Sequence, residues 1–222
     1  MAWRVTSRPC RRILCFLLAI GWSALGCAGR LAPLVGVATS KSLPAAVLAP
    51  GYRQVVFTWT LIDPNFGTTR GDGAAQIAPP DSARLDFFLA GGFVAGAAIL
   101  IDDSLRLPGS DLIRHLIPPA AMLWAGFGRR VIPPAADTVI RVDGDTLWAD
   151  FGRPVAWRVA FCGDTLVRLL HAADGRIVEG VERRGSGEVL YRNVPGHRTL
   201  TLQITRVVEL SALDASIWHF PP

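Results

Sequence analysis

The chain has 222 residues, half of them hydrophobic, with 23 basic and 18 acidic side chains and a formal net charge of +5. That length accommodates one well-buried domain together with targeting and linker pieces. The positive charge does not mark a nucleic-acid surface: Arg4, Arg8, Arg11 and Arg12 all precede the first acid, Asp63, and without those four the body carries 19 basic against 18 acidic groups, a net of +1.

Those four arginines lead into the apolar run 13–22, ILCFLLAIGW, and small residues follow at Ser23, Ala24 and Gly26. This is the layout of a secretory signal peptide, so residues 1–26 are read as an address and not as fold. Cys27 follows Gly26 in the string Ser-Ala-Leu-Gly-Cys-Ala, which resembles a bacterial lipobox, with Ala24 where leucine is commonest and Leu25 where a small residue is usual. Cys27 is the expected lipidation site. Plain small-x-small cleavage at Ala24-Leu25-Gly26 is the alternative, and a retained anchor is disfavoured because the run falls short of about 18 to 20 residues. Cys10 and Cys15 leave with the leader, so Cys162 alone remains in the body and no disulfide framework is expected.

Residues 27–51 hold the lipidated cysteine and an Ala/Pro-rich stretch with no acid and no period, read as a tether. If flexible it would span roughly 25 to 30 Å. The body, 52–222, opens with alternation: over 53–62, Val55, Phe57, Trp59 and Leu61 face one way and Gln54, Thr58 and Thr60 the other. Residues 69–78 make a glycine-rich strand whose Arg-Gly-Asp triplet is given no weight as an adhesion motif. Strands at 84–89, 93–101 and 104–107 follow, with Asp102-Asp103 in a tight turn.

The central stretch 109–134 breaks the rhythm. From Pro119 to Phe127 nearly every residue is apolar, and Met122, Leu123, Trp124 and Phe127 spread around the whole helical wheel. A helix apolar all round is buried on more than one side. Pro118 and Pro119 suit its first turn, Gly128 its left-handed exit, and Arg129 and Arg130 the negative end of its dipole. Strands then resume around Asp143-Gly144, Gly163-Asp164, Asp174-Gly175 and Gly185-Ser186-Gly187, and 198–209 alternates cleanly. Turn signals every 8 to 12 residues or so argue for an antiparallel sandwich or barrel. The tail, 211–222, is expected to pack back on the sheet.

No polar constellation suggests catalysis, so the chain is read as a non-enzyme. His115, His171, His197 and His219 are scattered and none lies at metal-ligand spacing, and there is no phosphate loop or nucleophile elbow. What stands out is apolar: Phe57, Trp59, Leu85, Phe87, Trp157 and Phe161 share a core-facing parity, with Met122, Trp124 and Phe127 supplied by the helix. They form either an ordinary core or, beneath a removable helix, a cavity for acyl chains.

The segment Ile117-Pro118-Pro119-Ala120-Ala121-Met122-Leu123-Trp124-Ala125-Gly126-Phe127-Gly128 is similar to the lid region of the LolA/LolB superfamily of bacterial lipoprotein carriers, and Arg84-Leu85-Asp86-Phe87 with its glycine turn is similar to the strand pair upstream. The likeness covers about 52–208; the amphipathic helix that the carriers place before the first strand is replaced here by 28–51. The resemblance implies a mostly β fold, an incomplete antiparallel barrel of about 10–12 strands, with short helices around 110–128 covering an apolar cavity. Phe57, Trp59, Leu85, Phe87, Met122, Trp124, Phe127 and Trp157 would line it. Phe93 or Val94 would correspond to the apolar residue that protrudes from a loop in LolB-type members and contacts the membrane. The implied function is a monomeric, membrane-anchored lipoprotein that binds lipid or acylated lipoprotein, faces the periplasm from the outer membrane and takes part in lipoprotein localisation, with no cofactor and no metal. The alternatives are a non-catalytic structural or assembly lipoprotein docking on an envelope complex, and a secreted periplasmic form.

Overall fold

The computed structural model describes residues 29–108, 116–185 and 187–220. The leader, Cys27, His115 and most of the short helix expected ahead of Pro118 lie outside the described residues. Thirteen strands form one antiparallel sheet: β1 (Val37–Ala38), β2 (Tyr52–Asp63), β3 (Gly67–Ala78), β4 (Ser82–Leu89), β5 (Val94–Ile101), β6 (Ser104–Arg106), β7 (Thr138–Asp143), β8 (Thr146–Phe151), β9 (Trp157–Cys162), β10 (Thr165–Ala173), β11 (Arg176–Arg184), β12 (Glu188–Asn193) and β13 (Arg198–Leu210). One α-helix, α1 (Ala120–Gly126), and a 3-10 turn at Ala215–Trp218 complete the described elements.

The strand order is β1-β7-β8-β9-β10-β11-β12-β13-β2-β3-β4-β5-β6. Two meanders, β2 to β6 and β7 to β13, need only short hairpins, which antiparallel pairing allows. They are joined where the last strand lies along the first long one, in a ladder from Thr199 opposite Ile62 to Leu210 opposite Tyr52. The edges β1 and β6 do not pair with each other, so the sheet stays open. Between β6 and β7 in the chain, α1 lies on the inner face.

Period-two alternation puts Val55, Phe57, Trp59 and Leu61 on that inner face with Leu85, Phe87, Leu100, Val159, Phe161, Leu200 and Leu202, all buried in one apolar cluster with Met122, Leu123 and Trp124. The glycines of β3 have a local reason. A Cβ at Gly73 would drive into the Phe57 ring, and one at Gly71 into the Trp59 ring and the Phe88 carbonyl. Without side chains there, the aromatics of β2 lie over β3 and meet Phe87 edge-on, with ring centroids 5.5 Å away for Phe57 and 6.0 Å for Trp59. The Arg-Gly-Asp triplet is therefore strand, and the Asp72 carbonyl accepts a bond from Trp59 Nε1 at 2.9 Å.

The stretch read as a tether, largely exposed, touches the domain at several points. Arg30 bridges Arg176, Val37 pairs with Val142, Arg141 donates to the Gly36 carbonyl at 2.8 Å, and Ala46 and Leu48 are buried. The reason lies in its composition: an acid-free run of Ala, Leu, Val and Pro gains by covering apolar surface even without a regular period. The tail packs back as expected, with Arg84 donating to the Ile217 carbonyl at 2.8 Å and lying 6.0 Å from the Phe220 ring centroid.

Candidate functional site

The site begins with α1, seven residues that alone would be a marginal helix. Pro119 opens it in an extended conformation with no side-chain cap, and its carbonyl accepts from Met122 and Leu123 at 3.0 and 3.1 Å. At the exit Gly128 has φ +91°, and Arg129 N–H returns to the Trp124 carbonyl at 2.9 Å. Met122, Leu123, Trp124, Ala125 and Gly126 are all buried, so packing and not propensity holds the helix. It rests on β10, β11 and β12.

One polar clasp fastens it. The turn between β5 and β6 puts Asp102 at φ +55°, and its carbonyl accepts Trp124 Nε1–H at 2.6 Å and Arg129 Nη1–H at 3.0 Å. The Arg129 guanidinium also lies 4.7 Å from the Trp124 ring centroid, within cation–π range. The turn is tied to the preceding hairpin by Asp102 N–H donating to the Asp81 carbonyl at 2.9 Å. A hydrogen bond with the Asp81 side chain, and that neighbour's charge, hold the Asp102 carboxyl above its ordinary range.

Beneath α1 lies a recess lined by Phe57, Pro118, Met122, Leu123, Phe127, Val181, Val189, Tyr191, Leu200, Leu202 and Ile204. Its void is about 20 Å³, room for about one water molecule, whereas pockets for organic ligands run from about 300 Å³ upward. The interior is thus apolar and filled while the helix is seated.

Of the residues singled out in the sequence, Phe57, Met122 and Phe127 line this recess. Trp59, Leu85 and Phe87 share its face but pack solidly farther along, toward β4. Trp124 is turned toward the clasp. Trp157, on β9, stacks on His171 with ring centroids 4.5 Å apart. Phe93 and Val94 are exposed at the β4–β5 turn, and Cys27 is outside the described residues.

The floor contributed by β11, β12 and β13 was not singled out. Its parity signal was available: Val189 with Tyr191, then Leu200, Leu202 and Ile204, each two apart. Tyr191 also carries a polar end that alternation does not show. Its hydroxyl donates to Glu179 Oε2 at 2.9 Å, and His171 Nδ1 lies 3.4 Å from Glu179 Oε1. Burial first, then the Glu179 charge, push the Tyr191 phenol up to about 12, so it remains a neutral donor. On the opposite face Asp150 and Arg158 form a buried two-pronged pair at 2.6 and 2.8 Å.

Among the described residues no group of three His, Cys, Asp or Glu side chains could hold a metal ion, and no helix is long and apolar enough to cross a membrane. No family model matches the chain, and no curated protein matches it in sequence. Solved structures do. A LolA superfamily protein from Nitrosomonas europaea aligns over 81% of this chain and 99% of its own at 9% identity, with a TM-score of 0.49. A putative outer membrane lipoprotein-sorting protein domain from Vibrio parahaemolyticus aligns over 76% and 89% at 8% identity (TM-score 0.46), and a DUF1329 family protein from Desulfovibrio piger over 77% and 90% at 7% identity (TM-score 0.42). The first of these is titled a LolA superfamily protein and the second a putative lipoprotein-sorting domain.

Proposed function

We propose that this chain is a non-catalytic carrier of the bacterial envelope that shelters acyl chains, of a lipid or of an acylated lipoprotein, on the inner face of its sheet where α1 now sits. In this reading Cys27 is lipidated and holds the protein, as a monomer, on the periplasmic side of the outer membrane, with Phe93 and Val94 in contact with it. The observation that carries the reading is a short, wholly apolar helix with no side-chain N-cap, resting on an apolar floor and clasped at the Asp102 carbonyl.

Energetics decide what could displace it. Opening the clasp costs two hydrogen bonds, about 1 to 2 kcal/mol each, and unseating Met122, Leu123 and Phe127 costs about 1.5 to 3 kcal/mol apiece. Hydrocarbon taking their place returns about 0.8 kcal/mol per methylene. Chains shorter than about eight carbons should therefore fail to hold the helix away, and chains of about sixteen or more should succeed. The test is displacement of a fluorescent fatty acid from the purified full chain by a series of fatty acids, with mass spectrometry of lipids that co-purify. Binding that rises steeply with chain length is expected; no co-purifying lipid and no binding at any length would overturn the carrier reading.

The filled interior favours a second reading, a structural or assembly lipoprotein docking on an envelope complex. A stable protein partner captured together with an absence of acyl binding would select it.

A further inference from the structure

Period two divides the charged side chains of β11 between the two faces of the sheet. On the outer face Glu182 meets Arg168 and Arg184, each at 3.0 Å, and Arg184 also holds Glu188 at 3.1 Å. Arg183, between Glu182 and Arg184, turns to the inner face. Its Nη1 lies against the exit turn of α1, 2.9 Å from where a Cβ on Gly128 would stand, and donates to the Leu166 carbonyl at 3.1 Å.

That is its one hydrogen bond among the described residues, and no carboxylate there forms an ion pair with it. A guanidinium carries five N–H donors, so most of them have no protein partner. Burial lowers the Arg183 pKa from the ordinary arginine value: the fold withdraws water from this cation and supplies no counter-charge. Arg129 and Arg130, at the exit of α1, are turned elsewhere, to the Asp102 carbonyl and over the Phe151 ring.

The recess beneath α1 ends at this arginine. Val189 and Ile204 line the recess and also a second hollow, of about 150 Å³, that opens beside Arg183. It is bordered by Gly185 and Gly187, which put no side chain into it, and it has room for several water molecules. Glu188 borders it too, with its carboxylate taken by Arg184. In the other direction the inner face of β11 runs through Val181 to Glu179, which Tyr191 and His171 engage. The apolar floor therefore stretches from a partnered acid to an unpartnered cation.

An acyl chain laid along this floor brings its polar end to one limit or the other. The Glu179 end repels an anion. The Arg183 end offers positive charge and unused donors, for which carboxylate and phosphate oxygens are the matching acceptors. We propose that Arg183 and the hollow beside it form a head-group site for an anionic lipid, its carboxylate or phosphate on the guanidinium and its acyl chain beneath α1. The inference rests on the carrier reading above and narrows it: of the two cargoes named there it selects a free anionic lipid over an acylated lipoprotein, whose acyl groups sit on neutral ester and amide linkages.

The test compares three ligands with one acyl chain: palmitate, 1-palmitoyl-lysophosphatidate and 1-monopalmitoylglycerol, the last two differing only in the phosphate. Each displaces a fluorescent fatty acid from the purified full chain, in wild type, Arg183→Met and Arg183→Lys. Wild type should prefer at least one anionic ligand to the neutral one by about ten-fold or more. The preference should collapse in Arg183→Met and survive in Arg183→Lys. The tighter of the two anions shows whether the head is a carboxylate or a phosphate, and either supports the site. Equal binding of charged and neutral ligands by wild type, or a preference that Arg183→Met retains, overturns the head-group site and leaves the acyl shelter standing. Binding of none of the three removes the shelter, and the head-group site with it.

Discussion

Trp124→Phe probes whether α1 can leave its seat. The substitution keeps an aromatic face for Arg129 but deletes the Nε1–H that meets the Asp102 carbonyl at 2.6 Å. The lost bond is worth about 1 kcal/mol, and the smaller ring leaves a gap whose cost brings the total to about 2 kcal/mol. This side chain is fully buried with α1 seated, so if α1 is a removable cover the loss falls on the closed form. A shift of 1 to 2 kcal/mol raises the open fraction about five- to thirty-fold, and apparent affinity for a long-chain fatty acid tightens by the same factor while the open form stays minor. The assay is fluorescent fatty-acid titration of wild type and variant, paired with urea unfolding of each. A variant that is about 2 kcal/mol less stable yet binds no better, or more weakly, would refute the idea that the helix is a removable cover, since the destabilisation would then come from a fixed core element.

Gly73→Ala should cost about 1 to 3 kcal/mol of stability in urea unfolding, because the new methyl group meets the Phe57 ring and overpacks the β2–β3 contact; an unchanged midpoint would contradict that packing. Tyr191 should be found ionising near 12 in an ultraviolet absorbance titration, and Tyr191→Phe should remove that step. Its folded value lies above the unfolded one of about 10, so the folded state holds the proton more tightly. The stability this contributes is present below pH 10 and is lost as pH rises through 12. Chemical unfolding at a series of alkaline pH values should show this loss in wild type and a flatter profile in Tyr191→Phe.

Strands, turns and helix were legible because they are written at short range. Alternation at 53–62 and 198–209 corresponds to β2 and β13, Asp143-Gly144 and Asp174-Gly175 fall in hairpin turns, and Pro119 and Gly128 bracket α1. The recess was legible on the helix side, through Met122 and Phe127, and on β2, through Phe57. The contribution of β11, β12 and β13 required knowing that the chain's last long strand lies against its first, a pairing between residues more than a hundred positions apart that no local pattern encodes. The clasp escaped for another reason: its acceptor is a backbone carbonyl in a turn, and any residue type would supply one.

The amino-acid sequence alone determined that this would be a sheet of hairpins carrying one apolar helix, because side-chain period and turn chemistry act between neighbours. The tertiary structure decided that Ala46 and Leu48 are buried against the domain, that Gly71 and Gly73 make room for aromatic rings, and that the space beneath α1 is nearly full. Those outcomes depend on which surfaces meet and how closely, and apolar burial, having no direction, leaves that choice to the assembled chain.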